Sequence, residues 1–142
     1  MMQDLHNNIK ASRGISPIAA VTNDTAFVSQ ICDTANFGSC EFIWAAGSIA
    51  DADVTFTLLV EHGDNSSLND ATAVADVHLL GTEAGAAPLF GSDNQVGKIG
   101  YIGGKRYVRV TITPANNGGN LFLAGIWVQG HPRVKPQSTQ IV

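Results

Sequence analysis

The segment VTFTLLVE, residues 54–61, reads as a β-strand with one buried side. Val54, Phe56, Leu58 and Val60 fall on one face, and Thr55, Thr57 and Glu61 on the other. Side chains of a strand point alternately to opposite faces, so this period of two aims one row at a core and the other at water. Upstream, SCEFIWAA (39–46) repeats the pattern: Cys40, Phe42 and Trp44 share a face, and Glu41, Ile43 and Ala45 share the other. Downstream, KRYVRVTIT (105–113) sets Val108, Val110 and Ile112 against Tyr107, Arg109 and Thr111.

Five further segments read as strands: 15–22, 26–31, 72–80 (the weakest), 96–102 and 121–129. Gly, Asn, Asp, Ser and Thr interrupt the chain every eight to twelve residues, a spacing typical of sandwiches and barrels. Gly103-Gly104 suggests a tight hairpin between 96–102 and 105–113, because glycine tolerates positive φ. Pro114, lacking an N–H, is expected to end its strand. Residues 121–129 (LFLAGIWVQ) are apolar on both faces, which implies a central position or a covered outer face. Residues 81–95 read as a long connection, and no helix of ordinary length is expected. The expected fold is therefore all-β: an antiparallel, jelly-roll-like β-sandwich of about eight strands at residues 15–129. A polar N-terminal arm (1–14) and an extended C-terminal tail (130–142) flank it. The strand number, and the lack of a disulfide-and-tryptophan signature, favour a jelly roll over an immunoglobulin-like sandwich.

A chain of 142 residues suits one domain. Charged residues make up 14% and hydrophobic ones 44%, so coiled coil, collagen and disordered chain are excluded. There is no uncharged apolar run of about eighteen residues, and the start MMQDLHNNIKASRG lacks a signal-peptide core. Synthesis in a cytoplasm is expected, with Cys32 and Cys40 as free thiols. A local disulfide between neighbouring strands is the alternative. The net charge of −4 argues against a general nucleic-acid binder. Its distribution is uneven: Asp24 to Asp93 holds eleven acidic residues and no Lys or Arg, and Lys98 onward holds six basic residues and no Asp or Glu. Interleaved strands would pair these charges inside the fold. Segregated halves would make two oppositely charged faces suited to docking.

Catalytic signatures are sparse. There is no G-x-S-x-G elbow. His6, His62, His78 and His131 are scattered, and Cys32 and Cys40 lack C-x-x-C spacing, so no transition-metal site and no cofactor is expected. Asp51-Ala52-Asp53 and Asp64-Asn65-Ser66 offer oxygen ligands, but read better as turn residues bonding their own backbone. Gly97, Gly100, Gly103 and Gly104 lie between strands without the helix a phosphate loop needs. Lys105, Arg106 and Arg109 cluster beside Tyr101 and Tyr107, a pattern also seen on RNA-binding strands. In an acidic chain, an ion-pair role inside the fold or between subunits suits them better.

The stretch KIGYIGGKRYVRVTIT (98–113), then a small-residue strand, then GHPR (130–133), resembles the head decoration, or cement, proteins encoded beside the major capsid gene of tailed bacteriophages. The matching positions are Gly100, Tyr101, Ile102, Gly103, Lys105, Arg106, Tyr107, Val108 and Arg109, then Gly130, His131, Pro132 and Arg133. LHNNIK (5–10) and Leu80-Gly81-Thr82 are also similar to the family. The resemblance is loose over most of the chain and close over roughly thirty residues. It implies a non-enzymatic protein on the outer capsid surface of a virion, made in the host cytoplasm. Its partners would be the phage major capsid protein and copies of itself, a homotrimer before a homodimer, with no nucleic acid and no membrane. The expected partner contacts are His6, Lys10 and Arg13 in the arm and His131, Arg133 and Lys135 in the tail. Lys105, Arg106 and Arg109 would lie at subunit contacts or pair with acids of the first half. A thirteen-residue arm spans roughly 40 Å when extended. The alternatives are another virion part, in the tail or at the head–tail junction, and a carbohydrate-binding or adhesive sandwich using Trp44 or Trp127.

Overall fold

A computed structural model describes residues 1–137 and 141. The strands are β1 (Ile9–Ile15), β2 (Phe27–Val28), β3 (Cys32–Asp33), β4 (Phe37–Ile49), β5 (Thr55–Gly63), β6 (Thr72–Ala73), β7 (Leu79–Leu80), β8 (Val96–Tyr101), β9 (Tyr107–Ala115) and β10 (Leu121–Pro132). One sheet has the order β1-β10-β4-β8-β7. The other has β2-β9-β5-β6, with β3 also paired to β9. Every pairing is antiparallel. The chain crosses repeatedly between the sheets, so the strands beside each other in a sheet are mostly not consecutive. Taking β2 and β3 as one interrupted strand and β7 as an addition, this is the eight-strand jelly-roll order.

Alternation decides which residues enter the core. Val108, Val110 and Ile112 of β9 are completely buried, as are Val60 of β5 and Phe42 of β4 to within a percent. Phe42 meets Trp127 of β10 edge to face, ring centroids 5.0 Å apart, a favourable aromatic geometry. Gly125 makes room for that pair: a Cβ there would lie 2.5 Å from Phe42 Cζ. Both tryptophans are buried with their indole N–H groups satisfied, Trp44 donating to Ala86 O (2.7 Å) and Trp127 to Gln30 O (2.9 Å). Bonding each indole to a backbone carbonyl removes the cost of burying it.

Several strand expectations are corrected. The segments 96–102 and 105–113 do not form a hairpin: β8 pairs with β4 and β7, and β9 with β5, β2 and β3, so Gly103-Gly104 carries the chain from one sheet to the other. Tyr101 holds that crossing in shape. Its hydroxyl lies 3.0 Å from both the N and the O of Lys105 and 2.9 Å from His62 Nδ1 of the opposite sheet. A Cβ on Gly103 would be 2.6 Å from the Tyr101 ring. Pro114 does not end its strand, since β9 continues to Ala115 with Pro114 opposite Phe56. Val110 O accepts from Ser29 N (2.8 Å) and Val110 N donates to Ser29 Oγ (2.9 Å), both on the β2 side. Pro114, four residues on, turns its missing N–H to that same side, beyond the end of β2, where no partner strand needs it.

The segment 72–80 splits into β6 and β7, one in each sheet, and 26–31 is replaced by the two short pieces β2 and β3. The segment 15–22 is strand only at Ile15, with Val21 in an isolated bridge to Leu121. The arm–domain boundary expected between residues 14 and 15 falls inside β1. That strand pairs from Ile9↔Gly130 to Ile15↔Gly125, so the second half of the expected arm is a sheet edge. At the other end β10 runs on to Pro132, past the expected boundary at 129.

Candidate functional site

The two outward faces of the sandwich differ in chemistry. On the β5–β9 sheet, the pairs Thr57↔Thr113, Leu59↔Thr111 and Glu61↔Arg109 set three threonines and an ion pair around Leu59 and its neighbour Val28, both of which are exposed. On the other sheet, the outward row of β10 is Phe122, Ala124, Ile126 and Val128. It is flanked by Ile43 and Ala45 of β4, Ala11 of β1 and Val96 of β8. Phe122 is 38% exposed, Ile126 44% and Val96 69%, and Leu80 and Ile102 at the β7–β8 end are also exposed. Of the two readings of 121–129, the structure bears out the central position, between β1 and β4; among the described residues its outer face leaves Phe122 and Ile126 exposed. Single exposed apolar residues are ordinary on a protein surface, but a contiguous patch across neighbouring strands marks an interaction site.

Charges in this face are few. Arg13, Glu41 and Lys98 lie within it. Partial burial among apolar neighbours pushes the Glu41 carboxyl above its ordinary range, and the charge of Lys98 works against that shift.

The segments around Asn7 and Gln137 meet at one end of the face. Gln137 N donates to Asn7 O (2.9 Å), and Arg133 N to Asn36 O (2.9 Å). Asp4 receives Asn7 N (3.1 Å) and Asn7 Nδ2 (2.8 Å), bonds that hold its carboxyl below the usual carboxylate range. Between these segments and the sheet lies an open groove of about 480 Å³, with Leu5, Ile9, Glu41, Ile102, His131 and Lys135 among its walls. His131 adopts φ 50°, unusual for a residue with a Cβ, and its Nδ1 lies 3.1 Å from Ser39 Oγ.

The nine basic or imidazole residues expected at contacts are thus sorted. His131 and Lys135 line the groove. His6 is exposed in the turn before β1, and Arg133 is exposed just past β10. Lys10 sits 5.9 Å over the Phe37 ring, and Arg13 is exposed on β1. Arg106 forks onto Asp33 (Nε–Oδ1 2.9 Å, Nη2–Oδ2 2.8 Å) and stacks 5.1 Å from the Tyr107 ring centroid. Arg109 donates to Glu61 Oε2 from Nε (3.2 Å) and Nη2 (2.8 Å). These two arginines pair with acids of the first half, because β9 lies between β3 and β5. Among the described residues, Lys105 Nζ reaches Thr72 Oγ1, at 3.5 Å.

The acidic loops serve the backbone. Asp51 accepts from Asp53 N (2.9 Å) and Gly118 N (2.7 Å), and Asn65 Oδ1 accepts from Ser67 N (2.8 Å). Asp70 accepts from Asp64 N (2.8 Å). Among the described residues, no group of three His, Cys, Asp or Glu side chains is placed to hold a metal ion. Sequence reasoning missed the apolar face itself. Phe122, Ile126, Val96 and Leu80 were visible as apolar residues, but only strand order shows that they share one surface.

No family model matches the chain, and no curated protein matches it. Among solved structures, it is similar to a chain of the capsid of Ralstonia phage GP4, with a TM-score of 0.54 and 15% sequence identity. The similarity covers 94% of this chain and 91% of that one. At that identity the likeness shows a shared fold.

Proposed function

We propose that this chain is a non-enzymatic structural protein of a tailed-phage head, which binds the outside of the assembled shell and bridges neighbouring capsomers. The observation that carries the reading is the asymmetry of the sandwich: one sheet face presents an apolar row running across β10, β4 and β8, and its opposite mixes threonines and an ion pair with two exposed apolar residues. Three things support it. The fold is shared, over nearly the full length of both chains, with a component of a phage capsid. The motif GYIGGKRYVR with GHPR resembles that of decoration proteins. The segments around Asn7 and Gln137 are docked beside the apolar face, with the groove between them.

The partners in this reading are the major capsid protein and two further copies of the chain around a threefold position. A protein that binds the assembled shell and not its separated subunits stabilises the shell by linkage. Many symmetric copies add avidity without strong single contacts. Apolar contact suits this task, because little charge has to be desolvated when the face is covered. A glycan-stacking role finds no support, since Trp44 and Trp127 are both buried.

The test is copy number in purified particles, by quantitative mass spectrometry against the most abundant shell protein. A near-stoichiometric ratio is expected. A few copies per particle would move the chain to the tail or the head–tail junction, and absence from particles would overturn the reading.

A further inference from the structure

Cys32 and Cys40 sit in different sheets, on β3 and β4, at the arch where the chain crosses between them. Both are buried, at 4% and 6% exposure, and their Sγ atoms are 3.7 Å apart. The arch is held on both sides. Thr34 N and Oγ1 donate to Arg106 O (2.9 and 2.8 Å), and Gln129 Nε2 of the opposite sheet donates to Asp33 O (2.9 Å). The sheets are thereby fixed close together in this layer. Each cysteine also borders a surface groove: Cys32 the one beside Lys10, Ser12 and Gln30, and Cys40 the one beside Leu5 and Lys135.

We propose that this pair is an oxidative modification site, at which a small disulfide such as oxidised glutathione converts the two thiols into an inter-sheet Cys32–Cys40 disulfide that locks the sandwich. One protein thiolate attacks a sulfur of oxidised glutathione and releases one glutathione thiolate, leaving a mixed disulfide. The second protein thiolate then displaces the other glutathione. The two cysteines lose two protons and two electrons in all, and one oxidised glutathione becomes two reduced ones. The bond closes a nine-residue ring. The Cys32 thiol beside it and burial together push the Cys40 thiol well above its ordinary value, so the exchange speeds up as pH rises. The site rests on side-chain geometry alone and is independent of the assembly reading.

The experiment incubates the folded, reduced full chain with oxidised and reduced glutathione at pH 8. The sample is then quenched, denatured and alkylated, and its intact mass and peptide map are read. The expected product takes no alkyl groups, is about 2 Da lighter than the reduced chain, and yields a linked Cys32–Cys40 peptide. A nine-residue ring also closes in an unfolded chain, so the same equilibrium is measured in 8 M urea. The folded chain is expected to favour the bond by roughly 80-fold more, the loop entropy that the bond removes from the unfolded state. The oxidised protein should accordingly melt roughly 5–10 °C higher. C32S and C40S should each stop at a mixed disulfide. Two alkyl groups after prolonged incubation, a stable mixed disulfide on the unaltered chain, a preference for the bond in urea, or a lower melting temperature would each overturn the proposal.

Discussion

Replacing Phe122 and Ile126 together by threonine is the most direct trial of the apolar face. Both project outward from β10, at 38% and 44% exposure. A phenylalanine presents about 200 Å², so about 75 Å² of Phe122 is open to a partner. A similar calculation for Ile126 leaves about 80 Å². Covering both surfaces at 25 cal/mol per Å² contributes about 4 kcal/mol per copy. That is close to a thousandfold in affinity if the partner covers them fully, and about thirtyfold if it covers half. Threonine keeps the β-branched preference for strands and copies the surface of the other sheet, where Thr57 faces Thr113. The fold should lose about 2–3 kcal/mol, because each residue is more than half buried and is trimmed to a smaller side chain. The assay is co-sedimentation of the purified variant with shells stripped of this protein, over a range of concentrations, beside a urea melt of the free variant. A variant that folds normally and saturates shells within threefold of the unaltered affinity would refute the assignment of this face. A variant that fails to fold would refute the claim that these two side chains are surface residues.

Tyr101→Phe should cost about 2–4 kcal/mol in urea unfolding, since it leaves Lys105 N–H and the His62 ring without the hydroxyl they share; a cost under about 0.5 kcal/mol would remove the crossing's proposed fastening. Glu61→Gln should cost about 1–2 kcal/mol and Asp33→Asn under about 1 kcal/mol, because the Arg109–Glu61 pair is 29%/20% exposed and the Arg106–Asp33 pair 54%/45%; double-mutant cycles in urea check the order. Burial, then the charges of Lys105 and His78, lower the His62 pKa below its ordinary 6.5, with Asp64 opposing. The unfolded chain therefore binds this proton more readily than the folded one. Stability should be complete above pH 6.5 and fall as pH drops from there through the lower folded value. In His62→Gln that slope should flatten, while the loss below about pH 4, from the depressed carboxyls of Asp33 and Asp70, should remain.

Much of the core could be read without coordinates. Val108, Val110 and Ile112, and Phe42 with Trp44, are inside because a strand with one wet face must alternate, and that rule needs only sequence distance. Short paired pieces carry no such signal. β2, β3, β6 and β7 have two residues each, too few to show a period along the sequence. The GlyGly crossing was misread for a related reason. A glycine pair permits a hairpin, but Tyr101 and the sheet partners of β8 and β9 decide where the chain goes. The basic cluster allows pairing within the fold or contacts between subunits, and strand order brings Arg106 to Asp33 and Arg109 to Glu61.

What the sequence determined by itself was therefore local: a β class, the buried rows, and a charge division that interleaved strands could neutralise. What the tertiary structure decided was everything that depends on which strand lies beside which. It set β10 between β1 and β4 with Phe122 and Ile126 of its outer row exposed, brought the segments around Asn7 and Gln137 to one edge of that row, and put two cysteines from different sheets within reach of each other. Alternation is a property of one strand and can be read along it. A surface or a cross-sheet pair belongs to several strands at once, and exists only when long-range pairing has assembled them.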